Sequence, residues 1–376
     1  MIFKAPDDFT YDWRHALLSK REPTARKDIA VLLIDDNSLA NHPYVTPVNP
    51  QLLSNLILAL DSFNASAIGI DIVLDRGSAS EAELFDAVRK IKSKLVFIEM
   101  DKRSDMPQII IDRHHQILNK LKTANPSITT GHPYLDQTRR GLSIPDQTIR
   151  LRAPTLSDAE HVKASFSEAL LSASGHKAPE FNDRGHISWL KSVAEDGSSV
   201  FSDLRVPLHE IDALRQKLLP ESWKAAISGK IVIVGTALRQ RDGLLTPLSL
   251  ISGERMPEAW VHANIAAQFI DGRKLAPFGA NLEWFIVVLC IFVGFWAGRV
   301  YRAKDYEVYV YFTGALTLII IGILLFSEFR LLIPSDTIFF GSLIGISLGH
   351  YSGWLQPVLK EQEGEQRDMR AQADAL

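Results

Sequence analysis

The sequence predicts an α/β fold, a parallel-type sheet sandwiched by helices, followed by a three-helix transmembrane bundle. Three observations carry this expectation. Short, wholly apolar runs alternate with amphipathic helical patterns early in the chain. The first 280 residues have the mixed polarity of a globular domain. Long apolar stretches almost free of charge appear only after residue 280.

In chain order, "DIAVLLID" reads as a buried strand, and "NPQLLSNLILALDSF" as a helix with Leu52, Leu53, Leu56 and Leu60 on one face. "ASAIGIDIVL" is a second strand. "SEAELFDAVRKIK" is a helix whose Ser80 and Glu83 suit a capping box, and the strand "KLVFIEM" follows it. Such a series implies a parallel sheet covered by helices, because parallel strands need crossovers that lie on the sheet faces. Far downstream, "GKIVIVGTA" supplies another buried strand and "EAWVHANIAAQFIDG" another helix, ending at Gly272.

After residue 280 come "LEWFIVVLCIFVGFWAG", "YEVYVYFTGALTLIIIGILLF" and "LLIPSDTIFFGSLIGISLGHYSGWL". Each approaches the roughly 20 residues that a helix needs to cross a bilayer core. Trp284, Trp296, Tyr306, Tyr309 and Trp354 suit the membrane interface. Three domains follow: 1–280, an α/β domain; 281–356, three membrane helices; and 357–376, a short polar tail. Arg299, Arg302 and Lys304 follow the first span, and Lys360, Arg367 and Arg370 follow the third. The positive-inside rule then puts that loop and the C-terminus in the cytoplasm and the large domain outside. "MIFKAPDDFTYDWRHALL" offers no apolar stretch to act as an export signal. Either the reading frame extends further upstream, which is the preferred reading, or the topology is inverted.

The net charge of -3 gives no reason to expect a nucleic-acid partner. The single cysteine, Cys290, excludes a disulfide within the chain.

Candidate chemistry gathers where strands end. In open parallel sheets, ligands bind beyond the carboxyl ends of the strands. Asp35, Asp36 and Asp71 stand at such ends, and "TALRQRDGLLTP" adds Asp242. These carboxylates either hold a polar ligand or a cation, or cap the turns that follow. His262 and Asn264 lie in the helix after "TPLSL"; His262 is a partner for Asp242, a residue that tunes a pocket to pH, or, as is more frequent for such a histidine, a satisfied polar residue that packs the helix to the sheet. Phosphate loops, dinucleotide fingerprints, zinc-protease helices and nucleophile elbows are all missing. No catalytic residue and no metal site is therefore expected, any cofactor is unknown, and the reading is of a non-enzyme. The adjacent His114 and His115 would diverge on a helix or strand.

Gly341, Gly345, Gly349 and Gly353 recur every four residues in the third apolar segment, and Gly294 and Gly298 repeat that spacing in the first. Such a smooth stripe admits another helix backbone at close range. It serves packing inside the bundle or a dimer interface, and packing is the preferred reading.

The order "VLLIDDNSL", "LILALDSFNASAIGIDIVLD", "GKIVIVGTALRQRDGLLTP" and "MPEAWVHANIAAQFIDGRKL", then three apolar helices, resembles the CHASE2 domain. "YDWRHALL", "TGHPYLDQ" with "PDQTIRLRAP", and "SFSEALLSASG" fit the same pattern. The resemblance implies an extracytoplasmic sensory module of a multi-pass protein of the bacterial cell membrane. It would detect an unknown small ligand or partner and relay the signal to a cytoplasmic output. Many relatives carry a tryptophan- and proline-rich stretch ending in arginine before the first helix, where this chain reads "HPYVTPVNP", with Tyr44 and Val48 near those places. The partners expected are the membrane, and either a second copy of the chain or a separate cytoplasmic output protein. The alternative is a membrane effector or structural protein whose soluble domain mediates protein–protein interaction and oligomerisation.

Overall fold

A computed structural model describes residues 4–39, 48–75, 81–101, 103–104, 106–137, 148–152, 164–177, 179, 185–206, 221–238, 243–277, 280–300, 307–332 and 335–374. Asp242, Tyr44 and the proposed cap Ser80 lie outside them. The chain divides into two units, one of residues 15–139 and 145–274, the other of residues 1–14, 140–144 and 275–376.

The larger unit is built on six parallel strands: β1 (Ile29–Asp35), β2 (Ala67–Ile70), β3 (Lys94–Ile98), β4 (Thr129–Gly131), β7 (Ser202–Arg205) and β8 (Ile231–Ala237). Their order is β4-β3-β2-β8-β1-β7. A small antiparallel pair, β5 (Leu135–Gln137) with β6 (Ile149–Arg152), lies apart from them. All seven residues of β1 are buried, as a strand covered on both faces requires. β4 and β7 escape sequence reading, because "TTG" and "SDLR" are short and polar edge strands with no apolar run.

Side-chain alternation divides the core in two. Ala30, Leu32, Ile34, Ile68, Ile70, Val232 and Val234 face one layer. That layer holds α2 (Pro50–Ser62), α3 (Glu81–Lys90), α4 (Gln108–Ala124) and α6 (Glu221–Ile227). Ile29, Val31, Leu33, Ala67, Ile231 and Ile233 face the other, which holds α5 (Phe166–Ala173) and α8 (Glu258–Asp271). The helices start where local chemistry asks them to. Asn49 caps α2 by accepting from the Gln51 N–H at 2.8 Å, with Pro50 at the first helical position. Ser165 and Glu168 form a reciprocal capping box on α5.

Helix α8 is buried on every side from Ala259 to Phe269, so its polar residues need internal partners. Asn264 accepts from the Leu190 N–H at 2.9 Å and donates to the Trp260 carbonyl at 3.0 Å. One turn later, Gln268 accepts from the Ser188 N–H at 3.0 Å and donates to the His186 carbonyl at 3.1 Å. The helix ends as expected at Gly272, whose φ of 61° is left-handed and costs glycine little. Arg26 then grips Asp271 with two hydrogen bonds of 2.7 and 2.9 Å while also pairing with Asp28.

The other unit contains three helices where three spans are expected: α9 (Ala280–Val300), α10 (Glu307–Phe329) and α11 (Ser335–Asp374). Among the described residues, no helix is long and apolar enough to cross a membrane; the three expected segments are present as helices. The polar stretch after residue 356 is helical, since α11 continues through Pro357 to Asp374. Short strands Ala276–Pro277 and Leu331–Leu332 pair in parallel.

The glycine stripe lies between α9 and α11. A Cβ on Gly294 would meet the Ser342 carbonyl oxygen at 2.5 Å, and one on Gly298 would collide with the Ile346 carbonyl. Gly345 faces the Ile291 carbonyl and Gly349 the Phe295 carbonyl, again with no room for a side chain. Gly341 rests on the Ile291 side chain, and Gly353 is half-buried one turn beyond Gly349. Contacts advance together along both helices, so α9 and α11 run in the same direction with their backbones in touch.

Candidate functional site

The carboxyl ends of β1, β8 and β2 carry the aspartates singled out in the sequence, and the structure separates them. β8 stands between β1 and β2, so Asp35 and Asp71 belong to different parts of the edge. Asp35 is buried, and its carboxylate accepts from the Ser38 N–H at 2.9 Å and the Ser38 hydroxyl at 3.0 Å. It is thus a turn cap, with Arg205 at 3.6 Å as an added ion pair. Asp36, next to it, is exposed.

Asp71 sits differently. Its N–H extends the ladder by donating to the Val234 carbonyl at 2.8 Å, which holds the side chain at the mouth between β2 and β8. Gly235 makes room there: a Cβ on it would press on the Ala259 Cβ at 2.7 Å and approach Asp71 Oδ2 at 3.6 Å. Close approach of α8 brings His262 and Glu258 to the same place. One atom each from Asp71, Glu258 and His262 lies within 4.8 Å of the other two. The structure therefore unites Asp71 with His262 and leaves Asn264, two residues on, engaged by backbone partners. Glu258 is the residue that sequence reading missed. Its signal was the four-residue spacing to His262, which puts both on one helix face.

His262 is 2 % exposed and packs edge-on against Phe166, with ring centroids 5.1 Å apart. Burial opposes its charged form, yet Glu258 and the negative Asp71 outweigh that cost and raise its pKa. His132, at the end of β4, is 1 % exposed, and neither ring nitrogen has a hydrogen-bond partner. Burial first, then the positive Arg103, push it down to about 4. Arg103 itself pairs with Asp101 and covers the Tyr134 ring at 4.5 Å. The edge above β2 and β4 thus holds one histidine disposed to be charged and one disposed to be neutral.

His114 and His115 diverge as expected, with ring centroids 6.4 Å apart. His114 accepts from the Leu74 N–H at 3.0 Å and bonds the Ile98 carbonyl at 2.9 Å. These contacts make it a neutral strut from α4 to the sheet.

A cavity of 430 Å³ opens beside β1 and β7. Asp203, Arg205, Thr246, Ser249, Arg255 and Trp260 are among its lining residues. Both cationic and anionic side chains reach it, and Trp260 gives it an aromatic wall. Burial raises the pKa of Asp203 there, against the neighbouring Arg205. Sequence reading did not find this cavity, because its walls come from the cryptic strand β7 and from segments far apart in the chain.

Comparison with curated proteins and with solved structures finds no match. The model of the CHASE2 domain family matches residues 2–296, which takes in the sheet with its strand-end residues and most of α9. The chain belongs to the CHASE2 domain family, a family of extracytoplasmic sensory domains, and so to proteins of sensing and signalling.

Proposed function

We propose that this protein is a membrane-held sensor whose α/β domain lies outside the cytoplasm and binds a small polar ligand. The signal then reaches a cytoplasmic partner through helices α9, α10 and α11. Membership of a sensory-domain family carries this reading. The cavity beside β1 and β7 supports a ligand of mixed polarity, since it presents Arg205, Arg255 and Asp203 beside an indole.

The membrane part draws support from what the helices expose. Trp284, Phe285, Phe292, Val293 and Trp296 on α9 are each more than half exposed, as is Leu324 on α10 and Leu348 on α11. So much large apolar surface on three helices is costly in water and favourable in lipid. Helix α8 is the natural relay in the domain. Trp260 lines the cavity, while His262 meets Asp71, so a ligand that moves Trp260 also acts on the strand-end cluster.

The decisive measurement is topology. In a Cys290→Ser, Glu195→Cys variant, the new thiol replaces an exposed side chain. An impermeant thiol reagent labels it on intact spheroplasts if the domain is outside. Protection until lysis overturns the extracytoplasmic placement.

A further inference from the structure

We propose that Asp71, Glu258 and His262 bind a divalent transition-metal ion, with zinc as the reference case, that ties β2 to helix α8. The three ligand atoms lie within 4.8 Å of one another. A zinc ion held tetrahedrally at about 2.0–2.2 Å by each sets its ligand atoms about 3.3–3.6 Å apart, so the trio closes by up to about 1.5 Å on binding. Glu258 supplies the adjustment. Its side chain is 46 % exposed, and its Oε1 is 3.8 Å from His262 Nε2, too long for a hydrogen bond.

The hydrogen bonding of the imidazole prepares it for this role. Ser167 Oγ donates to the His262 backbone carbonyl at 3.2 Å. Its hydroxyl proton is then committed, so the 3.4 Å contact between Ser167 Oγ and Nδ1 needs the proton on Nδ1. A neutral ring held that way turns a lone pair at Nε2 towards the carboxylates. Nε2 is buried and has no hydrogen-bond partner. A metal-ligating histidine held from behind through its other nitrogen has this arrangement.

Charge gives a second, independent reason. Two carboxylates facing one imidazole carry a net charge of -2 if the ring is neutral and -1 if it is protonated. A divalent ion brings the neutral-ring cluster to zero. One imidazole with two carboxylates suits zinc or manganese better than the all-oxygen set of calcium or magnesium. Because Glu258 is half exposed, the remaining coordination positions open to solvent, where water or an acidic group of a ligand completes them.

The test uses the tag-free full chain in detergent, stripped with chelator and titrated calorimetrically with Zn²⁺, with Co²⁺ as a spectroscopic probe. The expected result is one high-affinity ion per chain and a cobalt d–d band. Asp71→Asn and Glu258→Gln should each weaken binding by at least about tenfold and abolish the band. Glu258→Gln is the safer variant, since a half-exposed side chain leaves the core intact, whereas His262→Gln disturbs the contact with Phe166. Stoichiometric binding that persists unchanged in Glu258→Gln overturns the proposal. So does a wild-type chain that binds no ion while its His262 titrates as an imidazolium paired with the two carboxylates.

Discussion

His262 Nε2 lies 3.8 Å from Glu258 Oε1, one helical turn back, with the Asp71 carboxylate completing a triangle around a point at the end of β2. This arrangement joins the sheet to its most buried helix through ionisable groups. Stability should therefore depend on pH in a way that names the residue.

In metal-free protein, the raised pKa of His262 means that the folded state holds its proton more tightly than the unfolded state. Its contribution is fully present below the unfolded value of about 6.5 and is lost as pH rises through the higher folded value. Melting of chelator-treated protein should show stability falling as pH rises from about 6.5, and His262→Gln should flatten that limb. Ser167 and the two carboxylates face the ring, so Glu258→Gln should reduce the effect in part. A wild-type profile with no such slope above that pH contradicts the assignment.

His132 predicts the opposite limb. Its folded pKa of about 4 lies below the unfolded value, so the stability it contributes is present above about 6.5 and is lost as pH falls towards 4. The loss amounts to about 3 kcal/mol at most, from the difference between those two values. NMR of ring-labelled protein should show the imidazole neutral at pH 5.5. His132→Phe should remove the acid-side slope.

Asn264→Ala should destabilise the domain by about 1–3 kcal/mol, because it strands the buried Leu190 N–H without a partner. Chemical denaturation reads this directly. Gln268→Ala should behave alike through the Ser188 N–H. Unchanged stability in both would mean that water reaches this seam.

Gly345→Leu should disrupt the α9–α11 pair, since even a Cβ there collides with the Ile291 carbonyl. Melting in detergent should report a lower midpoint, and Gly349→Ala a smaller drop in the same direction. Gly364→Ala on the same helix is the control. Nothing lies within 4 Å of a Cβ at that position, and replacing a helical glycine should stabilise by up to about 1 kcal/mol. Equal effects at Gly345 and Gly364 would place the stripe outside any close contact.

The sequence by itself determined the layered sheet and its main helices. Burial on both faces leaves β1 and β8 as continuous apolar runs, and the amphipathic pattern of α2 and the glycine after α8 declare themselves locally. The small-residue stripe on α9 and α11 was equally legible, because a four-residue glycine repeat on a helix lets another backbone come close, whether inside the bundle or across a dimer. The site was only half legible. Aspartates at strand ends look alike in sequence, and tertiary structure alone made Asp35 a turn cap and set Asp71 against His262. Strand order decided this, because inserting β8 between β1 and β2 separates two residues that similar local motifs group in sequence. The meeting of Glu258 with Asp71 and the cavity beside β7 stayed hidden for a related reason. Their neighbours are brought near by crossovers, and no local pattern records which distant segment a parallel sheet will place alongside.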